Sequence, residues 1–157
     1  MGYYVTITDV DFVIPDTEEV LAALRDLNKR DDLKHGGVYT GGEMKERWFS
    51  WMPPKWEEFE NVADIFGEKG LGFTVDYYKN EEEDGSITKE VIVTYYDNKI
   101  GQEELFLSVV APFMRPGSFI AWRGEDGAMW RDYVGIDGKL YRQDAEIKWV
   151  NPVEVTV

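Results

Sequence analysis

The chain has no cysteine, one histidine and no apolar stretch long enough to span a membrane. Without cysteine there are no disulfides, no thiolate metal ligands and no thiol nucleophile. The fold therefore does not depend on an oxidising compartment, and a cytoplasmic protein is expected. The single histidine, His35, excludes a two-histidine metal site and leaves one imidazole for any serine relay. It lies in a polar, glycine-rich stretch beside Lys34 and reads as a solvated loop residue. The first residues lack the basic and apolar runs of a secretion signal. Met1-Gly2-Tyr3-Tyr4-Val5-Thr6 fits the loose N-myristoylation pattern, yet the same residues open an alternating strand. The glycine pairs at 36–42 lack the Gly-Lys-Ser/Thr end of a phosphate loop, and no G-x-G-x-x-G follows a strand. No cofactor and no metal is expected.

Basic residues are scarce. Seventeen Lys and Arg stand against 31 Asp and Glu, a net charge of −14 at pH 7. Such a field repels nucleic-acid phosphates and anionic lipid and draws in basic partners; it also serves solubility. Direct nucleic-acid and membrane binding are not expected, whereas a basic protein partner is.

What is present is enough to fold. The chain has 157 residues, 43% hydrophobic and 15% aromatic, which suits a single domain over 1–157. Tyr3, Val5 and Ile7 alternate in one phase and Val10, Phe12 and Ile14 in the other, which predicts one strand bent by a β-bulge near Thr8 or Asp9. Asp16 and Glu19 read as a capping-box-like start to a helix with Val20, Leu21, Leu24 and Leu27 on its buried stripe. A long glycine-rich loop is predicted over 33–47. Pro53-Pro54 then suits the start of a second helix, with Trp56, Phe59, Val62, Ala63 and Phe66 on one face and Gly67 or Gly70 at its end. Alternation at Leu71, Phe73, Val75 and Tyr77, and again at Val91, Val93 and Tyr95, predicts a hairpin whose tip is Glu81-Glu82-Glu83-Asp84-Gly85. Glu103 and Glu104 favour the positive end of a third helix carrying Leu105, Phe106, Val109 and Val110, ended by Pro112. Asp126-Gly127 and Asp137-Gly138 predict type I′ hairpin turns joining strands at 118–123, 129–134 and 140–149, with Trp130 and Trp149 in paired strands. Residues 153–157 read as a short edge strand or a frayed tail. The fold class is α+β: an antiparallel, ferredoxin-like split βαβ sheet with an extra helix and a C-terminal β-meander.

No motif carries complete chemistry. Lys69-Gly70-Leu71-Gly72-Phe73 matches part of the first motif of RNA-recognition domains, but Leu71 stands where an aromatic belongs and the segment follows a helix. Asn80, Glu82, Asp84 and Gly85 imitate the start of a calcium loop whose twelfth position is Val91 rather than glutamate. Asp9 and Asp11 point to one face of the first strand, as catalytic or Mg²⁺-binding carboxylates do and as solvated strand acids do more often.

The start Met1-Gly2-Tyr3-Tyr4, together with Glu125-Asp126-Gly127, Trp130-Arg131, Asp137-Gly138-Lys139 and Ala145-Glu146-Ile147-Lys148-Trp149, resembles small uncharacterised α+β proteins of actinobacteria and their bacteriophages. The likeness covers the two ends of the chain and carries no catalytic residues. It implies a small, phage-encoded cytosolic protein. Two functions are then expected. One is a non-enzymatic interaction protein that engages a basic host protein, including a DNA mimic or inhibitor. Its candidate acids are Glu57, Glu58 and Glu60 with Glu81, Glu82, Glu83 and Asp84, and its candidate aromatic anchors are Trp48, Trp51 and Trp56. The alternative is a small enzyme or ligand-binding domain using carboxylates and Tyr in a sheet-face cleft.

Overall fold

The computed structural model describes residues 2–36, 38–40, 43–45, 47–48 and 56–157. Strand β1 (Tyr4–Pro15) is the spine. Its register against β7 (Phe119–Gly124) shifts between Ile7 and Asp9, the bulge that the slipped alternation required. That extra residue lets Val5 and Ile7 before it, and Phe12 and Ile14 after it, all enter the core. The other edge of β1 pairs first with β6 (Asp97–Lys99) and then with β5 (Ile87–Tyr95). Strand β4 (Thr74–Glu81) adds to β5, while β8 (Met129–Val134) and β9 (Leu140–Asp144) follow β7. The result is a mixed α+β fold around an open seven-stranded sheet of order β4-β5-β1-β7-β8-β9, with β6 also on β1 and every pairing antiparallel.

Helix α1 (Glu18–Asn28) buries Val20, Leu21, Leu24 and Leu27, but its N-cap is Thr17, whose hydroxyl accepts from the Val20 N–H. Asp16 is taken elsewhere: its Oδ1 accepts from the Val62 N–H at 3.2 Å. The expected second helix is two pieces, a 3₁₀ turn at Trp56–Glu58 and α2 (Val62–Phe66). Asn61 and Asp64 divide them: Asn61 is the N-cap of α2, its Oδ1 accepting from the Asp64 N–H, while Asp64 Oδ2 reaches back to accept from the Glu60 N–H just before the cap. Pro53-Pro54 lies outside the described residues. The stretch 33–47 is not all loop either, since β2 (Val38–Thr40) pairs with β3 (Glu43–Lys45) within it. Gly67 is the C-cap that ends α2, its N–H donating to Ala63 O, and the chain then turns through Gly70, where a Cβ would collide with the Ile65 backbone oxygen, and Gly72, at φ +91°. Leu71 and Phe73 are buried, so this segment offers no exposed ring to a base.

The meander is present, with two corrections. The three Asp-Gly turns, at Asp84-Gly85, Asp126-Gly127 and Asp137-Gly138, place only the glycine at positive φ, so they are three-residue loops with a glycine bulge rather than type I′ turns. In each, the aspartate accepts from the backbone N–H two residues on: Ser86, Ala128 and Lys139. The last strand stops at Asp144. Ala145 N–H still reaches Met129 O, but Met129 is where β8 begins, so residues beyond it have no strand to pair with. Trp149 therefore lies outside the sheet, 91% exposed.

Helix α3 (Glu103–Val110) packs against α1, and buried strand and helix side chains form one cluster on one face of the sheet. On the opposite face Asp9, Asp11, Val13, Ile92, Phe119, Ala121, Arg131, Tyr133 and Tyr141 are exposed or half-buried. No helix among the described residues is long and apolar enough to cross a membrane.

Candidate functional site

The sequence-predicted acids fall into separate places. β5 meets β1 only as far as Pro15 opposite Glu90, so beyond that point β4 and β5 pair with each other alone. From Asp76 to Lys89 every residue is exposed. At the strand rise of about 3.3 Å per residue, this two-stranded arm reaches on the order of 13 Å past the end of β1. Glu81, Glu82, Glu83 and Asp84 crown it. None has a Lys or Arg within ion-pair distance among the described residues. Asp84 is a turn residue first: it accepts from Ser86 N–H and Oγ, and those bonds hold its carboxyl below the usual range. Glu82 Oε1 accepts from the Thr88 hydroxyl at 3.0 Å, which leaves Glu81 and Glu83 without a side-chain hydrogen bond among the described residues.

At the base of the arm lies a groove of about 750 Å³, lined among others by Asp16, Glu18, Glu60, Tyr77, Lys79 and Glu90. Glu60 is the one predicted acid it shares, while Glu57 and Glu58 are exposed on the 3₁₀ turn beside it. Asp16 and Tyr77 were not expected here. Partial burial and then the Asp16 charge raise the Tyr77 hydroxyl above its ordinary value. Lys79 and Lys89 face each other across the pair in the groove floor, so its field is mixed and the most uniformly negative surface is the tip.

Trp48 and Trp56 are core. Trp48 packs edge-on to Phe106 at 5.2 Å and donates its Nε1–H to Asn28 Oδ1, while Trp56 stacks on Phe106 at 5.8 Å. Both are buried, so neither offers an exposed ring to a partner; Trp51 lies outside the described residues. His35 is exposed, its backbone N–H donating to Gln102 Oε1. Asp9 and Asp11 are exposed on the open sheet face opposite Ala121 and Phe119. Among the described residues no group of three His, Asp or Glu is placed to hold a metal ion.

Two buried acids escaped the sequence reading. Asp132 takes a bidentate pair from Arg142, at 2.7 and 3.0 Å, and the Trp122 Nε1–H at 3.1 Å. Glu103 sits under Tyr96, described below. Both satisfy their charges or lone pairs inside the fold. No family model, no curated protein and no solved structure matches the chain.

Proposed function

We propose that the chain is a non-enzymatic interaction protein of the cytoplasm that engages a basic partner through the β4–β5 arm. The observation that carries this is the arm itself: residues 79–89 are all exposed, yet the chain extends them beyond the end of β1 and crowns them with four consecutive acids. A hairpin that contributes no core burial is costly to hold in place unless it does something outside the fold. Carboxylates on such a projection steer a basic surface from a distance and meet it without desolvating the body. Glu57, Glu58 and Glu60 flank the approach. In the narrower form of this reading the partner is a host nucleic-acid-binding protein, the chain is phage-encoded, and the acids stand in for phosphates as a DNA mimic or inhibitor. The order and senses of β1, β4, β5 and β7 around α1 and α3 support a ferredoxin-like split βαβ unit extended by β8 and β9. That fold lends no activity of its own.

The test replaces Glu81, Glu82 and Glu83 with Gln and keeps Asp84 for the turn. A partner is captured from host lysate at low salt, and its association rate is then measured across a salt series. The rate should fall steeply with salt for the natural chain, and the variant should show a slower rate and a shallower slope. Equal rates and slopes would remove the arm from the interface, and an acidic partner would end the electrostatic reading. The Asp16–Tyr77 pair favours a second reading, a small-ligand site in the groove. Tyr77→Phe would then abolish binding of that ligand while leaving association with a basic protein untouched.

A further inference from the structure

Strand β4 is one end of the sheet, and among the described residues no strand pairs with its outer edge. The ladder decides which groups lie there. Glu82 N–H donates to Ser86 O in the register that pairs β4 with β5, so the even-numbered residues of β4 turn their backbone groups toward β5. Tyr77, Lys79 and Glu81 therefore turn their N–H and C=O groups outward. Sheets commonly guard such edges with proline or a bulge. Between Asp76 and Glu81 there is no proline, and the register shift of β4 lies before them, between Thr74 and Val75. The edge is open to another strand.

Its two faces differ in charge. Val91 and Val93 of β5 are buried under the helices, so Tyr77, Lys79 and Lys89 share that side of the arm. The other side carries Asp76, Tyr78, Asn80, Thr88 and Glu90, and Glu82 reaches Thr88 there. It holds acids and no base, with Tyr78 48% exposed among them.

We propose that the basic partner presents an extended segment that adds to the outer edge of β4 as a further strand, with Lys or Arg at alternate positions on the acidic face. The inference rests on the arm being the binding element and names how it binds. Main-chain bonds to Tyr77, Lys79 and Glu81 supply affinity whatever the partner's sequence, and the side chains beside the edge select it. A cation on the acidic face meets Asp76 and the exposed ring of Tyr78. The residues between the cations fall on the side of Lys79, where a further base is repelled. Alternation of basic and uncharged residues is thus the pattern that the edge reads.

Charge selects this occupant over a second copy of the chain. Residues 76–90 hold six acids and two lysines, so two arms laid edge to edge would oppose like charge. A basic strand meets the opposite sign along the whole edge, and the acids at the tip steer it there.

The test uses two capped dodecapeptides of equal charge, one alternating Lys and Thr, the other with all its Lys before all its Thr. Only the first sets every cation on one face of a strand. Fluorescence anisotropy at low salt should show the full chain binding the alternating peptide about tenfold more tightly. Amide exchange should slow at Tyr77 and Lys79, which point outward, and stay unchanged at Tyr78, which already faces β5. Lys79→Pro removes an outward N–H without breaking the ladder and should weaken binding about tenfold relative to Lys79→Thr, which controls for the lost charge. Equal affinity for the two peptides overturns the proposal, and so do outward amides that stay unprotected. Protection of those amides that grows with protein concentration in the absence of peptide gives the edge to a second copy and overturns it as well. If Glu81, Glu82 and Glu83 changed to Gln still weaken both peptides in those cases, the acidic arm binds without strand pairing. Binding of neither peptide overturns both readings.

Discussion

Tyr96 Oη lies 2.7 Å from both Lys99 O and Glu103 Oε1, and a phenol has one proton to give. The two contacts are compatible when Glu103 is protonated and donates to Tyr96, which in turn donates to Lys99 O. Burial raises the Glu103 carboxyl above the usual glutamate range, opposed by its hydrogen bonds with Tyr96 and the Gly101 N–H and aided by the nearby Glu104. An acid raised in the folded state stabilises the fold fully below its unfolded value, and that contribution is lost as pH rises through the folded value. Glu103→Gln keeps both contacts, since its amide donates to Tyr96 and its oxygen accepts from Gly101. Urea midpoints taken from pH 4 upward should therefore decline for the natural chain and decline less for Glu103→Gln. Glu103→Ala, which orphans the Gly101 N–H, should cost about 1–3 kcal/mol at every pH. A parallel pH dependence in the natural and Gln chains would show Glu103 ionised in the fold. Nothing in the sequence marks this residue. Two glutamates at a helix start read as partners of the helix dipole, and only the tertiary path of Tyr96 decides that the first turns inward.

At the scale of elements, what the sequence made legible was periodicity, and what it hid was competition between neighbours. The bulge at Thr8 was readable because a one-residue slip reverses every later side chain, and the hairpins because Asp-Gly marks the turn. Strand β6 was not, because three residues carry no period. The start of α1 was misplaced by one residue because Asp16 and Thr17 are both good caps, and the choice is made by Val62, far along the chain. Of the candidate site, the acidic tip was legible from its four consecutive acids, whereas the groove joins residues from four separate segments and no local pattern announces it. The two caps can be told apart. Thr17→Ala should cost about 1 kcal/mol and speed amide exchange in the first turn of α1, at Val20 above all. Asp16→Ala should leave that turn protected and speed exchange at Val62 instead. If Asp16→Ala exposes Val20 as well, the two residues cap α1 jointly and the division of labour drawn here fails.

For the whole molecule, the decisive quantity is the imbalance of 31 acids against 17 bases. Four ion pairs occur among the described residues, and three of them join residues at most three apart in sequence, Asp26–Lys29, Arg30–Asp32 and Asp31–Lys34. The fourth, Asp132–Arg142, is buried on the acid's side and shielded from salt. Exposed pairs of the first kind contribute little, with a median of about 0–1 kcal/mol. Most carboxylates thus face the solvent with like charges around them, and compaction brings those charges closer than they stand in the unfolded chain. Added salt therefore screens more repulsion than attraction. The Debye length shrinks from about 30 Å at 0.01 M to about 3 Å at 1 M, so the melting temperature should rise as sodium chloride is added and level off once the screening length falls below the spacing of surface acids. The rise should be the same in potassium chloride, which separates screening from specific ion binding. It should shrink when Glu81, Glu82 and Glu83 become Gln, because removing three charges from one tip relieves part of the same repulsion. A melting temperature that falls with salt would mean that attractive pairs outweigh the net charge, and that the acidic surface is internally compensated rather than left open for a basic partner.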